Sequence, residues 1–259
     1  MVPDPALAWP LPPDIAGPTA AILIALSFAT SAVSAAFGLG GGMLLIAAMA
    51  QVLPAAAIVP VHGAVQTGSN AGRALVLLRH VDWPVALWFL AGALVGALAG
   101  GALAIRLPAE ALRIGIGLFV LWFVWGSTPQ FQRMRKRAMT VAGLIATFLS
   151  MIFGASGPIG GAVLSTLGLT RQTFVATQAV TALMSHVLKL LVFGLLGFAF
   201  APWLGLVALM IASGFLGTLA GARLLGRMPE ETFRTGFRIV MTALAVSLIL
   251  RGATSLLAP

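Results

Sequence analysis

The sequence contains no cysteine and very little charge: six acidic residues among 259, with only 8% charged residues in all. Without cysteine there is no disulfide framework, no thiolate metal site and no cysteine nucleophile. A water-facing surface needs roughly a quarter of its residues charged, whereas a lipid-facing surface must lack them, because a charge is costly at bilayer depth. The scarcity of charge therefore excludes a soluble domain of this size.

Apolar residues make up 60% of the chain, and its mean hydropathy is +1.06. Only α-helices and closed barrels satisfy their backbone groups in hydrocarbon, and the apolar runs here are long and continuous rather than short and alternating. The pattern predicts an all-α membrane protein. The 30 glycines and 15 prolines indicate close helix packing and some broken helices, since both residues are frequent in membrane helices.

About 20 apolar residues are needed to cross ~30 Å of hydrocarbon. Two shorter apolar segments, 42–53 and 158–169, each follow a glycine-rich break and could either cross obliquely or dip in and return. We therefore predict about ten transmembrane helices, eight long and two short or broken. The eight long segments are 19–37, 58–79, 84–105, 109–126, 138–153, 173–198, 202–224 and 230–251.

The chain repeats itself. Phe37-Gly38 matches Phe153-Gly154 at an offset of 116, and the segment that begins at Arg106 matches the one that begins at Arg227 at an offset of 121. The matches include polar residues at helix ends in the same order, which favours a duplication over chance similarity of apolar segments. We expect an irregular lead-in (1–18), a first transmembrane repeat (19–126), a basic linker (127–137) and a second repeat (138–252).

The basic residues predict the orientation in the membrane. Arg133, Arg135, Lys136 and Arg137 form the densest basic cluster, so the linker is expected on the cytoplasmic side of a bacterial inner membrane. The formal net charge of +9 then reports orientation rather than a nucleic-acid partner. Ten spans place both termini outside, and five spans per repeat force the two repeats into opposite orientations.

The two glycine-rich breaks, FGLGGG at 37–42 and FGASGP at 153–158, interrupt otherwise apolar helices. A helix that starts within the membrane offers free backbone N–H groups and a positive dipole end to an anion. The alternative is a surface of small residues for helix packing. Two breaks at matching positions favour an anion site, in which Gly40, Gly41, Ser156 and Gly157 are the candidate donors.

Each break is followed by a helix with a polar stripe at spacings of three and four, which places the stripe on one helical face. Unpartnered polar atoms are costly in hydrocarbon, so both stripes are expected to face the protein interior or a wet cavity. The alternative is that these side chains only hold helices together. The stripe residues proposed for the site are His62, Gln66 and Ser69 in the first half, and Gln178, Thr181, Ser185, His186 and Lys189 in the second.

The sign of the buried charge indicates the substrate class. No Asp or Glu falls inside a predicted long span, which argues against a cation or proton relay built on carboxylates. A lysine, two histidines and hydroxyl groups suit a small oxyanion, which needs hydrogen-bond donors and positive potential. His62 and His186 could also couple proton movement to transport, or could serve only as packing donors. We expect neither a cofactor nor a metal.

Two motifs, FGLGGGMLL and its counterpart FGASGPIGGAVL, are each followed by a polar helix. In these features the chain resembles the sulfite exporter TauE/SafE family, also called the toluene sulfonate uptake permease family. The resemblance covers essentially the whole chain. It implies two related halves and movement of sulfite, sulfonates or related anions across bacterial membranes. Ser156 and Pro158 stand where the first break has Gly40 and Gly42, so the identity of the anion stays open.

The function expected from the sequence is a secondary transporter that works by alternating access, with membrane lipid and a small anion as partners. A passive anion channel is the first alternative. An intramembrane enzyme is the second, but the chain has no HExxH, no acidic dyad and no GxSxG motif. We therefore expect a protein that is not an enzyme.

Overall fold

The computed structural model describes residues 11–12, 15–37, 40–126, 134–155, 157–224 and 230–257, and its regular elements are all helical there. The prediction of an all-α protein of about ten helices is confirmed, because each predicted segment contains one helix. The helices are α1 (Gly17–Phe37), α2 (Gly41–Val52), α3 (Ala55–Val76), α4 (Trp83–Ala104), α5 (Ala109–Trp125), α6 (Ala138–Phe153), α7 (Gly157–Ser165), α8 (Arg171–Leu195), α9 (Leu204–Leu224) and α10 (Glu230–Leu257).

Five helices, α1, α4, α8, α9 and α10, are long and apolar enough to cross a membrane by length and composition. α3 has 22 residues, but its polar stripe lowers its hydropathy, and α5 and α6 have only 17 and 16 residues. The short helices α2 and α7 have 12 and 9 residues. At 1.5 Å per residue they measure about 18 and 14 Å, which is less than the ~30 Å of hydrocarbon.

The helix boundaries follow the sequence offsets. Among the early elements, α1 and α6 end 116 residues apart, and the pairs α2/α7 and α3/α8 begin 116 residues apart. Among the later elements, α4/α9 and α5/α10 each begin 121 residues apart. Each helix of the first half therefore has an equivalent in the second half.

Glycines allow the closest helix contacts. Gly92, Gly96 and Gly100 of α4 lie directly against the main chain of α6, at Thr140, Leu144 and Phe148 respectively. Because the residue numbers of the contacting pairs increase together along both helices, α4 and α6 run parallel. The equivalent pair, α9 and α1, packs in the same way, with Gly217 against Phe28 and Gly221 against Ala32. A side chain at these glycines would overlap backbone atoms, so the small residues set the distance between the helices.

The equivalent helices α5 and α10 run in opposite directions. Trp125, at the end of α5, donates a hydrogen bond of 2.8 Å to Thr242 in the first half of α10. Gly252, near the end of α10, lies against Glu110 at the start of α5. α5 and α10 are therefore antiparallel, which is the relation expected between inverted repeats.

The structure describes only the end of the basic linker, from residue 134 onward. Lys136 is half exposed and makes an ion pair of 2.7 Å with Asp82, which also caps the first turn of α4 by accepting a hydrogen bond from the Val85 N–H. Most of the predicted lead-in, most of the linker and the proposed site residue Ser156 lie outside the described residues.

Candidate functional site

Both glycine-rich breaks turn through left-handed glycines. Gly40 has φ +99° directly before α2, and Gly154 has φ +83° directly after α6. Glycine adopts this conformation without the steric cost that a side chain would incur. A Cβ atom at Gly154 would also collide with Ile46 of α2. The second break therefore packs directly against the short helix that follows the first.

His62 of α3 touches both breaks. Its side chain is 1% exposed, and its Nε2 lies 2.9 Å from the carbonyl oxygen of Gly42 at the start of α2. The Nδ1 edge of the ring lies beside Gly154. The Nδ1 atom has no hydrogen-bond partner among the described residues, so one polar atom of this buried ring remains available at the point where the breaks meet.

Lys189 of α8 reaches the same point from the opposite half. It is fully buried, and its amino group donates a hydrogen bond of 3.0 Å to the carbonyl oxygen of Gly154. Its aliphatic stem lies over Gly63, where the absence of a side chain leaves room for it. Within the described part of the chain the only ion pair is Lys136–Asp82, so Lys189 has no carboxylate partner there.

His186 completes the cluster. It lies one turn before Lys189 on α8 and is 5% exposed. Its ring centroid is 5.9 Å from that of His62, in an edge-to-face arrangement with an interplanar angle of 72°. Its Nδ1 atom also lacks a partner in the described structure. The cluster therefore combines one amino group with two imidazoles and no carboxylate.

Two glutamines lie at the starts of the short helices. Gln66 of α3 places its amide nitrogen against Gly42 of α2. Gln178 of α8 places its amide nitrogen 3.5 Å from the carbonyl oxygen of Gly157, the first residue of α7. Gln178 is equivalent to His62 by the 116-residue offset, so the same position in each half faces the carbonyl of a break.

Other proposed residues make helix-packing contacts instead. The Ser185 hydroxyl is 3.0 Å from that of Thr147 in α6, and the Thr181 hydroxyl donates to the carbonyl of Gln178 on its own helix. Gly41 lies against Thr30 and Ser34 of α1, and Gly40 lies against Phe237 of α10. Ser69 is half-buried on α3 and has no hydrogen bond to either break among the described residues. Ser156 lies outside those residues.

Several polar groups around the cluster were not predicted. The carbonyls of Gly42 and Gly154 accept the hydrogen bonds of His62 and Lys189, although the sequence motifs pointed to neighbouring glycines as donors. Thr147 and Ser150 are fully buried on α6 beside the second break. Their spacing of three residues in an apolar run was the signal that could have revealed them, because it places both hydroxyl groups on one face.

Comparison with known families gives a match over most of the chain. The family model described as sulfite exporter TauE/SafE matches residues 5–248. The chain belongs to the TauE/SafE family. No curated protein and no solved structure matches it significantly. The predicted resemblance is confirmed, and the multi-pass helical structure agrees with a TauE/SafE transporter of a small anion.

In this TauE/SafE chain the buried cluster presents nitrogen donors, and no carboxylate of the described residues is paired with it. An oxyanion is recognised by charge-assisted hydrogen bonds from such groups. Among the described residues, no three His, Asp or Glu side chains are grouped so that they could hold a metal ion. The arrangement therefore offers an anion the amino group of Lys189 and an N–H of His186, whereas His62 already donates its Nε2–H to Gly42.

Proposed function

We propose that this protein moves a small sulfur-containing anion, such as sulfite, an organosulfonate or a related compound, across the bacterial inner membrane by alternating access. The observation that carries the proposal is Lys189, a fully buried amino group with no carboxylate partner in the described structure, at the meeting point of the two breaks. An unpaired buried charge is costly. A bound anion would supply the missing partner.

The two halves provide the moving parts. α3 and α8, which carry His62 and Lys189, are equivalent helices, and both contact the breaks. In transporters built from inverted repeats, rocking of one half against the other exposes a fixed central site first to one side and then to the other. The antiparallel packing of α5 and α10 supports the inverted arrangement.

The histidine pair is our candidate for proton coupling. His62 and His186 are close enough for the charge of one ring to affect the other, and histidine is the side chain that changes charge most readily near neutral pH. Coupling of this kind would make uptake by the parent protein depend on a pH gradient, and equal uptake with and without the gradient would contradict it.

Counterflow in proteoliposomes tests the proposal. Vesicles preloaded with unlabelled sulfite should accumulate labelled sulfite transiently, because a carrier shows trans-stimulation whereas a channel does not. Analysis of the recovered label separates a carrier, which returns sulfite unaltered, from an intramembrane enzyme. Lys189→Ala and His186→Ala should each abolish the signal while the protein elutes as a folded species. Unchanged counterflow in both variants would remove this cluster from consideration.

A further inference from the structure

A cavity of about 430 Å³ opens at one end of the helix bundle. Its mouth is formed by the start of α3, the end of α4, the start of α5 and the end of α8, where Ala56, Ile105 and Gly197 are exposed. Its floor is formed by buried apolar side chains, those of Val59, Met151 and Phe193. The volume is within the range of ~300–1,000 Å³ that is typical of small-molecule pockets.

The floor of the cavity lies one helical turn from the anion cluster on three different helices. Val59 precedes His62 by three residues on α3, and Phe193 follows Lys189 by four residues on α8. Met151 precedes Gly154 by three residues at the end of α6. Residues three or four apart lie on the same face of a helix. The floor of the cavity is therefore separated from the cluster by about one helical turn.

The chemistry of the lining differs from that of the cluster. Every side chain that lines the cavity is apolar, so only main-chain atoms there could replace the hydration of an ion that is charged on all sides. An apolar substituent, in contrast, gains free energy when it leaves water for such a surface. A ligand that fits both regions carries one anionic group for Lys189 and one compact aliphatic group for the cavity.

We infer that this cavity is a subsite for the aliphatic substituent of the transported anion, so that the protein favours organic anions with a short alkyl group over bare inorganic ones. The inference rests on the proposed function, because it takes Lys189 as the group that binds the charged end. Ala104 is the residue of choice for a test, since it lines the cavity at the end of α4.

The test compares the dissociation constants of methanesulfonate, ethanesulfonate and butane-1-sulfonate for the purified protein. The affinity should rise about fourfold for each added methylene group, which corresponds to ~0.8 kcal/mol per buried methylene. Ala104→Leu should cancel this gain and leave methanesulfonate binding unchanged, because the larger side chain fills the cavity. Ala102→Leu, on the exposed face of the same helix, is the matched control and should behave like the parent protein.

Equal affinities across the series in the parent protein would overturn the inference, as would a chain-length gain that survives Ala104→Leu. A copurifying lipid that prevents the rise in affinity with chain length would identify the cavity as a lipid site. That result would also overturn the inference. None of these results would affect the proposed function if methanesulfonate and sulfite still bind and lose their binding in Lys189→Ala. The two failures are therefore distinguishable.

Discussion

Replacing Gly63 by alanine should weaken anion transport through its effect on Lys189. A Cβ atom at position 63 would lie 2.6 Å from Cδ and 3.2 Å from Cγ of Lys189. Carbon atoms in contact normally lie about 3.5–4.0 Å apart, so the lysine stem would have to retreat by about 1 Å. The hydrogen bond from its amino group to Gly154 is 3.0 Å long, and a shift of this size would break it or redirect that group.

The expected change in KM follows from the hydrogen bond that the displaced Lys189 amino group would otherwise make to the anion. A hydrogen bond to a charged group contributes about 1.5–3 kcal/mol, and each 1.4 kcal/mol corresponds to a factor of ten in affinity. Gly63→Ala should therefore raise the KM for sulfite uptake in proteoliposomes by roughly 10- to 100-fold. The maximal rate should change less, because the helices that move remain the same.

Gly72→Ala is the matched control for this prediction. Gly72 lies on the same helix and is exposed, and a Cβ atom added there would meet no other atom within 4 Å. Both variants gain the helix propensity of alanine over glycine, about 1 kcal/mol, so their difference isolates the contact with Lys189. Equal KM values for the two variants would refute the role assigned to the lysine position.

Two further predictions concern stability, measured as the thermal unfolding midpoint in detergent. Gly96→Ala should destabilise the protein by about 1–3 kcal/mol, as overpacking does, because the new methyl group would overlap the main chain at Leu144. Gly236→Ala is the control and should not destabilise it, because a Cβ atom there meets nothing within 4 Å. Equal unfolding midpoints for the two variants would contradict the α4–α6 contact. Asp82→Asn removes only the ion pair with the half-exposed Lys136 and should cost at most about 1 kcal/mol of stability. Asp82→Ala also removes the cap of α4 and should cost about 1 kcal/mol more. Identical losses of stability in the two variants would show that the cap contributes nothing.

The sequence predicted the helices well where hydrophobicity and the repeat decide them. The offset of 116 recurs at the starts of α3 and α8, at Ala55 and Arg171. Two boundaries differ from the prediction by more than three residues, for local or tertiary reasons. α7 ends at Ser165 rather than near 169, because the hydroxyls of Ser165 and Thr166 bond to carbonyls one turn back, which competes with continued helix. α10 continues past 251 because Gly252 packs against α5.

The candidate site was predicted in composition but not in detail. Helical spacing placed Ser185 and Lys189 on one face, yet Ser185 bonds to Thr147 whereas Lys189 reaches Gly154. Which neighbour a side chain meets depends on the packing of α6 against α8, and periodicity within one helix carries no information about that. The room for the lysine stem above Gly63 likewise exists only once α3 and α8 are brought together.

Equilibrium binding of sulfite to the purified protein, measured by calorimetry, tests the central claim most directly. The chain has two lysines, Lys136 and Lys189, so the same substitution can be made at the linker and at the buried cluster. Lys189→Met should abolish binding, while Lys136→Met should bind sulfite like the parent protein. Binding that survives in a folded Lys189→Met variant would contradict the assignment of Lys189 as the anion-binding cation.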